Sequence, residues 1–200
     1  MRRFLVFIFL ILTVISVQAA TQTKHESPYD QNLKSTSGDW WLNWGVGGGL
    51  GNHTSGVATL WGFNYQLHDD QIISARMSGL YTTPHFGQIH PIGGYLLTPL
   101  LTHGDNGYIG DTDVMYGYIK HWGKAIVTAQ AGLGYVQWRA NNGPDGAIGA
   151  THSTVGVPFE SQLFWSYNHD KGIGIIFFGN LNTQDPYAAL ALALHFGHLY

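Results

Sequence analysis

The sequence predicts an all-β protein, an eight-stranded antiparallel transmembrane β-barrel. Three observations carry that reading. From Asp39 onward the apolar residues recur with a period of two, not the 3.6 of a helix. Charged residues are only 10% of the chain, against about 25% in ordinary soluble domains. Glycine supplies 27 of the 200 residues, and aromatics 14%. That composition suits a barrel with lipid outside and a narrow lumen of small side chains inside.

The chain opens with Met1-Arg2-Arg3 and runs apolar from Phe4 to Val17. It then leaves through Gln18-Ala19-Ala20 into polar sequence. A basic start, a short apolar middle and a small-residue exit describe a secretory signal peptide over residues 1–19, cut after Ala19. The apolar run falls short of the roughly 20 residues that a spanning helix needs. Residues 20–38 are polar, with Pro28 and several Ser and Thr, and are expected to form a disordered periplasmic segment. The barrel is expected over residues 39–200. Cysteine is absent, which excludes disulfides and thiolate metal sites. A net charge of −3 offers no basic surface for nucleic acid.

Eight strands can be written with their alternation. The first, about Trp40 to Leu50, sets Trp40, Leu42, Trp44 and Val46 against Trp41, Asn43, Gly45 and Gly47. The second sets Val57, Thr59, Trp61, Phe63 and Tyr65 against Ala58, Gly62, Asn64 and Gln66. The third sets Ile73, Ala75, Met77 and Tyr81 against Ser74, Arg76 and Ser78. The fourth shows Val114, Tyr116, Tyr118 and Trp122. The fifth sets Val127, Ala129, Leu133 and Tyr135 against Thr128, Gln130, Gly132 and Gly134. The sixth carries Val155 to Tyr167 against Thr154 to Asn168. The seventh is built on Ile173, Ile175, Phe177 and Leu181, and the eighth on Leu190, Leu192, Leu194 and Phe196. An even count is the rule for single-chain bacterial barrels. Short turns at residues 68–70, 123–124 and 169–172 alternate with loops at 51–55, 82–112, 139–151 and 182–186. This is the expected contrast between periplasmic and extracellular ends.

The more apolar face carries one charge across all eight strands, Lys120, close enough to a turn to snorkel to the interface. Arg or Lys at the bilayer midplane costs about 2–4 kcal/mol on a barrel's lipid face. The other face is expected to be small and polar, with Arg76 and Glu160 as its two mid-strand charges. A buried charge needs a partner. The two are therefore expected to pair and to join a network with Asn64, Gln130 and Gln162. A gate in a narrow pore is the alternative role for that pair.

No metal or cofactor site is expected. His53, His85, His90, His103 and His152, with Asp105, Asp111 and Asp113, fall in the proposed outer loops without tight ligand spacing. Asn52-His53-Thr54 reads as a turn. Loop 82–112, rich in Gly, Pro, His and Leu, is expected to face outward and to carry any extracellular ligand.

The run Leu190 to Tyr200 resembles the terminal strand of outer-membrane barrels, which ends in an aromatic with apolar residues at alternate positions before it. The resemblance implies that Leu192, Leu194, Phe196 and Tyr200 form the signal read by the barrel-assembly machinery; His198 departs from the pattern. Gly156 to Trp165, Gly172-Ile173-Gly174 and Asn180-Leu181-Asn182 resemble uncharacterised small outer-membrane barrel proteins, and the general shape is similar to OmpA/OmpX-type barrels. These resemblances imply residence in the bacterial outer membrane with lipid as the surrounding partner, and a structural or loop-mediated binding role without catalysis. An enzyme acting on outer-leaflet lipid is the further alternative. Lipid A deacylases use a His and a Ser two residues apart, whereas here His152 and Ser153 are adjacent and Thr154 stands where the Ser is needed.

Overall fold

The computed structural model describes residues 38–52, 55–68, 70–82, 107–139, 150–168 and 170–198. The expected signal peptide, the N-terminal segment up to residue 37, and Tyr200 lie outside these residues. So do His53, His85, His90, His103 and Asp105.

Alternation that leaves one face apolar and the other small forces each strand to bury its small face, and a closed sheet does this without leaving an edge. The strands are β1 (Trp40–Gly51), β2 (Ser55–His68), β3 (Gln71–Thr82), β4 (Tyr108–Trp122), β5 (Ala125–Arg139), β6 (His152–Asn168), β7 (Lys171–Leu181) and β8 (Tyr187–His198). Each pairs antiparallel with the next. β8 closes onto β1 from Trp40↔His198 to Gly51↔Tyr187, giving a closed barrel of eight strands.

At the turn end β2–β3, β4–β5 and β6–β7 are joined by tight connections. The β4–β5 turn places Gly123 at φ +60°, a backbone that only glycine adopts without strain. The β5–β6 ladder is interrupted between Ala131↔Phe159 and Gly134↔Gly156, with no change of register. Pro158 lies in that gap and has no N–H to donate. At the loop end Asn182 accepts from the backbone N–H groups of Gln184 and Asp185, folding the β7–β8 connection back on itself. Asp185 then accepts from the Asn52 N–H at 2.9 Å, tying that connection to the β1–β2 tip.

The outer face carries a continuous apolar belt: Leu42, Phe63, Ile73, Val114, Leu133, Val157, Leu163, Ile175, Leu192 and their neighbours are exposed. Tyr118, Trp122, Trp165 and Tyr167 crowd its turn end. Among the described residues no helix is long and apolar enough to cross a membrane.

Two expectations are corrected. The loop placed at 82–112 is shorter, because β4 begins at Tyr108 and takes Asp111 and Asp113 into the wall. The lumen is also more than small and polar. Leu60, Leu80, Ile109, Val136, Ile176, Phe178 and Tyr187 form an apolar layer toward the loop end. Trp41, Ile72, Ile119, Ile126 and Phe164 form a second toward the turn end. Eight strands enclose a space that side chains fill, and large residues close this one above and below a polar middle.

Candidate functional site

That polar middle is the one concentrated constellation of charge among the described residues. β3 supplies Arg76, 1% exposed, with Ser74 and Ser78 on the same face. β4 supplies Asp111 and Asp113, two residues apart and so on one face. β6 supplies Glu160 and Gln162, β5 Gln130, β2 Asn64 and β8 Tyr187, all buried.

The Arg76 guanidinium spans the lumen. Its Nε and Nη2 donate to Asp113 Oδ2 at 2.9 and 2.5 Å. Nη1 donates to Glu160 Oε2 at 3.3 Å and to the Phe159 carbonyl at 3.1 Å. Nη2 also reaches Asp111 Oδ2 at 3.4 Å and the Gly179 carbonyl at 3.2 Å. The guanidinium carbon lies 5.3 Å from the Phe178 ring centroid. One side chain thus ties β3 to β4, β6 and β7.

The carboxylates are held in turn. Tyr187 donates to Asp111 Oδ2 at 2.6 Å, and Ser78 donates to Asp111 Oδ1. Gln162 and Gln130 donate to Glu160 Oε1 at 2.5 and 3.4 Å, and both reach Asn64 Oδ1 at 3.4 Å. Ser74 donates to Gln130 Oε1 at 2.6 Å. Asp113 fits because its cross-strand neighbour on β5 is glycine: a Cβ at Gly134 would collide with Asp113 Oδ1.

Arg76, Glu160, Asn64, Gln130 and Gln162 therefore share one cluster. Sequence reasoning missed Asp111, Asp113, Tyr187, Ser74 and Ser78 in it, and Arg76 and Glu160 are not the only mid-strand charges inside. The available signal was the spacing Asp111-x-Asp113, which puts both carboxylates on one face of an extended chain. Leu192, Leu194 and Phe196 face outward on β8.

His152 and Ser153 point to opposite faces. His152 stacks on Trp138 with ring centroids 4.8 Å apart. Glu160 lies eight residues further along β6, about 26 Å at 3.3 Å per residue. Among the described residues no group of three His, Asp or Glu side chains is placed to hold a metal ion.

The closed sheet, apolar belt and packed lumen define the class: a transmembrane β-barrel with the fold of the small bacterial outer-membrane barrels. No protein-family model matches the chain, and no curated protein matches it by sequence. Solved structures do match its fold. Ail, the attachment invasion locus protein of Yersinia pestis, in complex with the heparin analogue sucrose octasulfate, superposes with a TM-score of 0.54 at 8% identity, covering 81% of this chain and 99% of that one. Neisserial surface protein A gives 0.55 at 7% identity, covering 80% and 97%. The N-terminal β-barrel domain of Pseudomonas aeruginosa OprF gives 0.50 at 11% identity, covering 80% and 98%.

Proposed function

We propose that this chain is an outer-membrane anchor whose loops bind an extracellular partner, not a conduit and not an enzyme. The carrying observation is the lumen. An Arg braced to three strands, between two apolar layers, plugs the lumen and leaves binding to the loops. Export by the N-terminal signal peptide and insertion by the barrel-assembly machinery, reading the outward-facing β8 residues with Tyr200, complete the reading.

The loop residues narrow the partner. Ail is seen with a polysulfated sugar. Here the connections at residues 52–54, 83–107, 140–151 and 182–186 contain no Lys or Arg, while Asp105, Asp145 and Asp185 are acidic. A polyanion finds little to pair with on such loops. Residues 89–101 hold two Ile, two Pro, Tyr95 and four Leu with His90 and no Asp, Glu, Lys or Arg, which suits a largely apolar partner surface.

The test replaces residues 84–106 by a short Gly-Ser link. Cells displaying the variant are expected to keep the barrel's heat-modifiable gel shift and to lose adherence to apolar surfaces. Saturable binding of sucrose octasulfate to the intact protein would overturn the choice of partner. Unitary conductance steps in planar bilayers would overturn the plug.

A further inference from the structure

We propose a binding site for an anionic phospholipid headgroup at the turn end of β4, β5 and β6, formed by Lys120, Lys124, Trp122 and Trp165. The proposal rests on the membrane reading above and adds a defined lipid contact to it.

The register builds the site. Trp122 on β4 pairs with Ala125 on β5, and Ala125 pairs with Trp165 on β6. All three share the outer face. The indoles are 59% and 58% exposed, whereas Ala125 between them is only 7% exposed. Two exposed tryptophans thus flank a covered small residue and form an aromatic shelf at the end of the apolar belt. Indoles favour that depth, where one edge meets acyl chains and the N–H meets headgroups.

Cations edge the shelf. Lys120 Nζ lies 5.5 Å from the Trp122 ring centroid, so its stem runs along the belt while its charge reaches the interface. Lys124 is exposed in the β4–β5 turn, and its carbonyl accepts from the Ser166 N–H at 2.9 Å, fixing the turn beside Trp165. The turn-end parts of β4, β5 and β6, residues 115–131 and 161–168, hold these two lysines and no carboxylate, while the Asp70 carbonyl accepts from the Ile119 N–H at 3.0 Å beside Lys120. Asp70 and Asp170 belong to the flanking turns. Below the shelf Tyr118, Val127 and Leu163 continue the same face toward the membrane centre, where an acyl chain would lie.

The placement is one-sided. Every lysine among the described residues, Lys120, Lys124 and Lys171, is at the turn end. A phosphate there meets two ammonium groups over an apolar shelf. Lys171, two strands from Lys124, serves as the control because it shares the end but not the shelf.

The test reconstitutes the protein in vesicles of phosphatidylcholine mixed with phosphatidylglycerol, extracts it mildly and measures co-purifying lipid by mass spectrometry. Phosphatidylglycerol is expected to be enriched over the bulk on the wild type. At about 1 kcal/mol per lysine near the surface, each lysine supplies about five-fold, so K120Q/K124Q is expected to lose the enrichment and K171Q to lose at most about five-fold. No enrichment on the wild type, enrichment surviving in K120Q/K124Q, or an equal loss in K171Q would overturn the site while the barrel stands. Failure to insert into either phosphatidylcholine or mixed vesicles would overturn the membrane reading, and the site with it.

Discussion

Replacing Arg76 by Met probes the plug directly. Met keeps most of the apolar stem and removes the guanidinium, together with its hydrogen bonds to Asp111, Asp113, Glu160 and two carbonyls. Asp111, Asp113 and Glu160 are then left facing one another in the lumen, each 5% exposed or less. Breaking a buried ion pair by removing one partner costs about 3–5 kcal/mol, because the remaining charge is uncompensated. Three carboxylates against one cation put R76M at the upper end of that range. The assay is urea unfolding of the barrel in vesicles, following loss of the fast-migrating band on unboiled gels. R76M/D113N should recover part of the loss, with a coupling of about 1–3 kcal/mol between directly bonded groups. A change below about 1 kcal/mol in R76M, or strict additivity in the double variant, would refute the claim that Arg76 braces the lumen.

Three further perturbations follow from the same geometry. G134A drives a methyl group into Asp113 Oδ1 and should cost about 1–3 kcal/mol in the same unfolding assay, as overpacking does. L192K puts a charge on the belt at a residue 68% exposed on the outer face, and should destabilise the barrel by about 2–4 kcal/mol in vesicles; K120Q, already at the interface, should change it by less than about 1 kcal/mol. H152A removes one ring of the Trp138 stack and should cost at most about 1.5 kcal/mol, while the lipid A of cells making the variant keeps its acylation pattern by mass spectrometry.

The wall was legible from period and composition, because a strand between lipid and a narrow lumen must alternate, and alternation is a property of neighbouring residues in the chain. The lumen was legible only in part. Gly110-Asp111-Thr112-Asp113 reads as loop, since nothing apolar marks it as strand; it becomes wall because Arg76, opposite on β3, bonds both of its inward carboxylates. In Ala58-Thr59-Leu60-Trp61 both faces are bulky, so period alone does not say that Leu60 faces the lumen; its place is fixed by packing with Leu80, Ile109 and Phe178 from other strands.

The sequence by itself therefore determined the strand number, the closed antiparallel architecture and the lipid-facing residues, through rules that act over two to four positions. Tertiary structure alone decided what fills the barrel. Which carboxylates meet Arg76, which glycines make room for them, and which two tryptophans flank Ala125 depend on register between strands tens of residues apart, a long-range quantity that no local pattern encodes.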